Sequence, residues 1–303
     1  MRVLVSGASG LLGSSIVPVL VQAGHQVVKL VRPPKSGGPD AVPWDPGAGW
    51  IEVGRLQGID GVIHLSGETI LGRWTDDKKR RIRESRVGST KLLAESIAAL
   101  SPRPRVLVVA SATGYYGNRG DDLLTEESAS GTGYLAEVCR EWEDAAAPAA
   151  DAGIRVVHVR NGLVLAPDGG LLASMLLPFQ MGVGGPIGDG RAWWSWIAIQ
   201  DMADTYRFAL EREDVRGAIN GVAPAPVTNG EFSRVLGHVL GRPAIVPVPP
   251  IALRMLFGEE AAREAAMASA RVVPARMQQA GFQFAFPDLE SALRHELGRK
   301  KEK

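Results

Sequence analysis

Three glycines, Gly7, Gly10 and Gly13, stand three apart directly behind the apolar run Val3-Leu4-Val5. An apolar segment of helical length follows, over 11–23. The chemistry this spacing serves is the holding of a phosphate chain. Gly7 permits the tight turn out of a strand, and Gly10 carries no Cβ to block a pyrophosphate. Gly13 lets the helix pack close on the strand, and the helix N-terminus then offers unpaired N–H groups to the phosphates. Gly7, Ser9, Gly10, Leu11, Leu12 and Gly13 are therefore the expected cofactor-binding residues of the turn. A second strand, Gln26–Val31, runs straight into Arg32. An acidic residue there would accept hydrogen bonds from the ribose 2′-hydroxyl of NAD. An arginine cannot accept, but it pairs with a 2′-phosphate, so Arg32, with Lys35 nearby, points to NADP(H). A further apolar strand over 61–65 ends in small residues that let backbone approach the cofactor, which adds Leu65, Ser66 and Gly67 to the expected site.

The elements that must position these residues alternate between strand and helix. A Pro- and Gly-rich stretch at 33–50 holds a short strand, Ala41–Asp45. Charged residues at 73–86 form a solvated helix face, and a helix continues over 91–100. Strands are expected at 105–110 and 154–160, with a helix over 133–147 between them. Pro18 is expected to kink the first helix. This alternation predicts an α/β fold, a Rossmann-type, doubly wound parallel sheet. After Arg160 the regularity breaks. Residues 161–195 are mostly loop with a short helix over 171–180, strand and helix return over 196–210, and two or three proline-punctuated helices follow. The expected organisation is an NADP-binding domain over 1–165, to which 196–222 returns. A smaller C-terminal lobe over 223–303, with the loop 166–195, then covers the substrate cleft.

Composition excludes several classes. The 303 residues are 45% hydrophobic and 22% charged, with 34 Lys and Arg against 33 Asp and Glu, a net charge of +1. No global field favours nucleic acid or an anionic membrane. No apolar run reaches the ~20 residues of a bilayer span. The single cysteine, Cys139, excludes an intrachain disulfide and suits a reducing compartment. The glycine turn lies so near Met1 that no signal peptide is expected, so the expected location is cytoplasmic. The five histidines are scattered, so no metal site is expected, and no Gly-x-Ser-x-Gly elbow of a serine hydrolase is present.

The glycine turn, Ser111-Ala112-Thr113-Gly114-Tyr115-Tyr116-Gly117, Tyr134, and Gly188-Asp189-Gly190 ahead of Asp201 resemble the extended short-chain dehydrogenase/reductases of the NAD-dependent epimerase/dehydratase superfamily. Arg73-Trp74-Thr75, Cys139-Arg140-Glu141-Trp142-Glu143, Ser195-Trp196-Ile197, Gly221-Val222-Ala223-Pro224 and Gly258-Glu259 are similar to its "epimerase family protein" branch, across nearly the whole chain. The resemblance implies an NADP(H) site, a small-molecule substrate and a catalytic Asn, Ser or Thr, Tyr, and Lys four residues after the Tyr. In such enzymes the Tyr exchanges a proton with the substrate oxygen while hydride moves to or from nicotinamide, and the Lys lowers the Tyr pKa.

Three of these four positions depart here. Tyr134 is the candidate proton donor, but Val138 stands four residues on. Arg86 aligns with the Asn and could supply the missing charge. Ala112 aligns with the Ser, leaving Ser111 and Thr113 on either side. The arginine that grips the diphosphate in nucleotide-sugar enzymes is replaced by Trp194, although Arg191 is close enough in sequence to reach a phosphate. Three tryptophans in 193–196 suit an aromatic or apolar ligand, or else they pack beneath the C-terminal lobe. The expected function is an NADP(H)-dependent oxidoreductase or epimerase-like activity on a small molecule. The alternative is a non-catalytic NADP(H)-binding sensor or regulator. Monomer and homodimer both stay open.

Overall fold

The computed structural model describes residues 1–32, 38 and 40–299, so Lys35 lies outside the described residues. In chain order the first half holds β1 (Arg2–Ser6), α1 (Leu11–Gln22), β2 (Gln26–Val31), β3 (Ala41–Asp45), β4 (Trp50–Ile51), β5 (Gly61–His64), α2 (Asp76–Ala98), β6 (Val106–Ala112) and β7 (Leu123–Leu124). Next come α3 (Tyr134–Asp144), α4 (Ala147–Asp151), β8 (Arg155–Asn161), β9 (Leu163–Leu165), α5 (Gly170–Gln180), β10 (Trp193–Trp194), β11 (Trp196–Ala198) and α6 (Ile199–Glu211). The chain closes with β12 (Gly217–Gly221), β13 (Val227–Thr228), α7 (Asn229–Leu240), α8 (Pro250–Phe257), α9 (Glu259–Ala261), β14 (Arg271–Val272), α10 (Ala275–Gln279) and α11 (Leu289–Glu296).

One eight-stranded sheet runs in the order β12-β8-β6-β5-β1-β2-β3-β4. Every pairing in it is parallel except β3 with β4. Helices cover both faces, so its central strands read as continuous apolar runs: Val3, Leu4 and Val5 in β1 and Val62 and Ile63 in β5 are fully buried. From β1 the chain winds outward through β2 and β3, then returns to β5 on the other side. The crevice for a ligand in such a sheet opens where the winding reverses, at the C-terminal ends of β1 and β5.

Local rules account for the helices that frame this crevice. Helix α1 buries Ile16 and Leu20 and accommodates Pro18 within its span. It ends in a left-handed glycine, Gly24 at φ +81°, with the His25 N–H returning to the Leu20 carbonyl at 3.0 Å. Helix α2 starts on the Thr75 hydroxyl, which accepts from the Lys78 N–H, with Asp76 and Asp77 in its first turn. Its buried residues, Ile82, Ser89, Thr90, Leu93, Ala94 and Ile97, fall at helical spacing, and the charged 76–86 half is largely solvated.

The 161–195 stretch is more ordered than a loop. Besides α5 it contains β9, which pairs with β11, and β10, which pairs with β13. These carry a second apolar cluster around Phe179, Trp194, Trp196, Phe232 and Leu236, beneath the helices of the smaller C-terminal lobe. The Ser195 hydroxyl locks that lobe in place, donating to the Ala270 carbonyl and accepting from the Val272 N–H, both at 2.8 Å. No helix among the described residues is long and apolar enough to cross a membrane.

Candidate functional site

The three glycines of the turn do three different things. Gly7 sits at φ +67°, and a Cβ there would lie 3.1 Å from the Leu65 carbonyl carbon. A Cβ at Gly13 would lie 2.2 Å from the Gly7 carbonyl oxygen, so the helix could not pack at its present distance. At Gly10 a Cβ would meet only the Gly7 oxygen, at 3.3 Å, and the backbone is ordinarily extended. The fold needs glycine at 7 and 13, whereas at 10 it leaves space. Behind that space α1 begins, its first-turn N–H groups lacking intrahelical acceptors and no acidic residue among them. Ser9 and Gly10 are exposed, and Leu11 and Leu12 are half-buried.

The loop after β5 is held against this turn by a buried hydrogen-bond rod. Ser6 Oγ accepts from the N–H groups of Leu65 (3.0 Å) and Ser66 (3.3 Å) and donates to His64 Nδ1 (2.6 Å). His64 Nε2 then donates to Ser89 Oγ (3.1 Å), which donates to the Ser85 carbonyl (2.6 Å). Burial holds the His64 pKa down at about 3, so the ring is neutral, as this chain of donors requires. The rod ties β1, β5 and α2 together and fixes the backbone of Leu65, Ser66 and Gly67 beside the glycine turn. Arg32 follows β2 directly, exposed and without an ion pair or hydrogen bond to any described residue.

A cleft of about 580 Å³ opens from this edge. Leu12, Leu65 and Gly67 line one side. Arg86 from α2, Ser111 and Thr113 from the end of β6, Leu135, Val138, Cys139 and Trp142 from α3, and Trp193 and Trp194 line the rest. The C-terminal lobe closes it with a π-helical turn, Ala262–Ala266, that brings Arg263 and Glu264 to the wall. Three of the four catalytic candidates, Arg86, Ser111 and Thr113, are thus brought together.

Tyr134 is not brought to them. Its hydroxyl donates to the Lys79 carbonyl at 2.5 Å, its ring packs against Trp74 and under the Lys79 ammonium, and it lines an adjoining surface concavity. The reason is helical geometry. One residue turns the side chain by about 100°, so 135, 138, 139 and 142 share the cleft face and 134 falls off it. The pairs four residues apart that do face the cleft are Leu135 with Cys139 and Val138 with Trp142. Leucine has no proton to exchange, and burial pushes the Cys139 thiol up to about 12.

Two further groups at the cleft are not among the residues expected from the sequence. Glu143, four residues beyond Cys139, accepts the Ser111 hydroxyl proton at 2.7 Å and forms a two-pronged ion pair with Arg160 at 2.8 and 2.9 Å. Burial alone would lower the Arg160 pKa, but its hydrogen bonds and charge contact with Glu143 raise it instead. The spacing after Cys139 could have pointed to Glu143. Glu264 could not have been found that way. It arrives from 129 residues away to accept the Leu135 N–H at 3.0 Å, over Gly133 at φ +103°. The Thr113 hydroxyl has no hydrogen-bond partner among the described residues. Of the tryptophans, Trp196 is fully buried and Trp194 packs edge-on against Phe232, while Trp193 stays partly exposed at the cleft. Arg191 is exposed and pairs loosely with Asp189 at 3.9 Å, outside the cleft wall. Among the described residues no group of His, Cys, Asp and Glu is arranged to hold a metal.

A winding reversal beside β1, with a three-glycine turn at its mouth, defines a Rossmann-type dinucleotide-binding protein. Comparison with known proteins narrows this. The profile of the NAD dependent epimerase/dehydratase family matches residues 3–220, and that of a domain of unknown function, DUF1731, matches 248–296. The chain belongs to the NAD-dependent epimerase/dehydratase family. It is 37% identical to an epimerase family protein of Mycobacterium bovis, covering 96% of each chain. The crystal structure of human epimerase family protein SDR39U1 with NADPH superimposes with a TM-score of 0.90, at 34% identity, over 98% of this chain and 99% of that one. MoeE5 in complex with UDP-glucose and NAD, at 22% identity and TM-score 0.77 over 98% of each chain, shares the fold.

Proposed function

We propose that the protein is an NADP(H)-dependent oxidoreductase or epimerase-like enzyme acting on a small molecule held in the 580 Å³ cleft. The observation that carries this is the meeting, in one cleft, of the dinucleotide edge (Leu12, Leu65, Gly67) with the Ser111 and Thr113 hydroxyls. The residues fit the cofactor. The space at Gly10 and the first turn of α1 would take the pyrophosphate, Leu65–Gly67 would lie along it, and Arg32 would pair with the 2′-phosphate. Bound NADP(H) would supply or accept the hydride. The protein's part is to orient the substrate oxygen. Thr113, with no hydrogen-bond partner among the described residues, is free to hydrogen-bond it. Ser111 donates its own proton to Glu143 and so presents lone pairs to the cleft. Tyr134 would reach the substrate only by releasing the Lys79 carbonyl.

A second reading is favoured by Leu135 and Cys139 on the cleft face, since leucine has no exchangeable proton and the buried Cys139 thiol holds its own. It is a non-catalytic NADP(H) binder that senses or regulates. Turnover separates the two. NADPH oxidation should be detected against some member of a broad panel of aldehydes and ketones, and Thr113→Val should slow it about 10²-fold while NADPH affinity holds. Tight NADPH binding with no oxidation by any carbonyl would favour the binder.

A further inference from the structure

Arg160 and Arg86 both lie by the cleft, and of these two Arg160 has a counter-ion. Arg160 presents its Nε and Nη2 edge to both oxygens of Glu143. Arg86 uses only Nη1, donating to the carbonyls of Glu68 at 2.9 Å and Ile82 at 3.2 Å. The same Nε and Nη2 edge of Arg86 has no acceptor among the described residues, and the guanidinium forms no ion pair with any of their carboxylates.

Its neighbours do not supply one. The Glu68 carboxylate is held by Lys78 Nζ at 2.7 Å, Glu141 faces Arg83 at 3.2 Å, and Glu264 takes Arg263 at 3.2 Å. Arg86 is nevertheless withdrawn from water. Its guanidinium carbon lies 5.1 Å from the Trp142 ring centroid, and Gly67, with no side chain, lies across it. Burial accordingly lowers the Arg86 pKa, with only weak charge contacts opposing. A desolvated cation without an anion is costly unless a ligand completes it. The free edge is the one that matches a carboxylate in a two-pronged fork. One stretch of the remaining wall, Leu135, Val138, Trp193 and Trp194, is apolar or aromatic. One open cation facing such a wall suits a single negative charge on an apolar body. A sugar diphosphate would bring two or more charges, and the other arginine on the wall, Arg263, already has its acid.

We propose that the Nε and Nη2 edge of Arg86 binds the carboxylate of a small monoanionic substrate whose apolar or aromatic body lies against Trp193 and Trp194. This rests on the cleft being the substrate site of the proposed function. The alternative source of the same chemistry is a phosphate of the cofactor, because Gly67 lies against the guanidinium.

The test is calorimetric titration of the full-length protein, saturated with NADP+, with phenylacetate and octanoate and with their neutral amides. NADPH titrations are run alongside. Wild type should prefer each acid to its amide by about 10-fold or more. Arg86→Gln should erase that preference and leave NADPH affinity within about 2-fold, and Arg86→Lys should restore part of it. No preference in wild type would overturn the proposal without needing any variant to fold. Retention of the preference in Arg86→Gln would also overturn it. A loss of NADPH affinity in Arg86→Gln, with no acid preference in wild type, would assign the edge to a cofactor phosphate. Failure of wild type to bind NADPH at all would sink the proposed function instead, which the acid–amide comparison reads separately.

Discussion

The glycine turn and helix α3 face the same cleft, yet they meet it with different materials. The turn offers backbone and space, through Gly7, Gly10, Gly13 and the loop Leu65–Gly67. Helix α3 offers side chains, and those it presents are Leu135, Val138, Cys139 and Trp142. The three-glycine spacing stands on the first wall, whereas on the second Val138 replaces the lysine expected four residues after Tyr134. Two of the turn's glycines are also packing residues: a Cβ at Gly13 would overlap the Gly7 carbonyl, and one at Gly7 would crowd Leu65. The α3 side chains fill a cleft, and a leucine fills it as well as a tyrosine. At Gly7 and Gly13 the turn is therefore bound to stability, whereas Gly10 and the α3 side chains are not.

The sharpest way to break this comparison is within the turn itself. Gly13→Val should cost about 3 kcal/mol or more of stability, because the helix must move off the strand, and a thermal melt reads that directly. Gly10→Val should cost no more than about 1 kcal/mol. It should nevertheless abolish NADPH binding by calorimetry, since its branches fill the space left for the pyrophosphate. A folded Gly10→Val that binds NADPH like wild type would show that the phosphates lie elsewhere.

A smaller effect is expected at the end of β2. Arg32→Asp should lower the NADPH-over-NADH preference by about 10- to 150-fold, the worth of a charge-assisted pair. Equal affinities in wild type would remove Arg32 from that role.

The smallest effect is expected at Tyr134. Tyr134→Phe loses one hydrogen bond to the Lys79 carbonyl, about 1 kcal/mol by denaturant melt, and should leave NADPH affinity and any turnover unchanged. A drop of 10²–10⁴-fold in turnover would mean the ring swings into the cleft and acts as the proton donor after all.

Much of the framework was legible because its causes are local. The apolar run of β1, the spacing of the three glycines, the left-handed glycine closing α1 and the arginine after β2 each depend on contiguous residues and backbone sterics. The short strands inside 161–195 were not legible, since their partners β11 and β13 come from farther along the chain. In the site, Arg86, Ser111 and Thr113 could be named from the resemblance. The place of Glu143 four residues after Cys139 puts it on the same helix side, but its contacts with Ser111 and Arg160 depend on strands β6 and β8.

The sequence by itself determined the dinucleotide turn, the sheet that presents it and the argument for a 2′-phosphate, because each follows from residue type and period over a few positions. Tertiary structure alone decided which stripe of α3 looks into the cleft. It also brought Glu264 onto the Leu135 N–H and, among the described residues, left Arg86 without an acid while giving Arg160 one. Those outcomes depend on how rigid elements rotate and dock. A single residue's turn of about 100° carries a side chain from the cleft to the surface, and no local pattern records that angle.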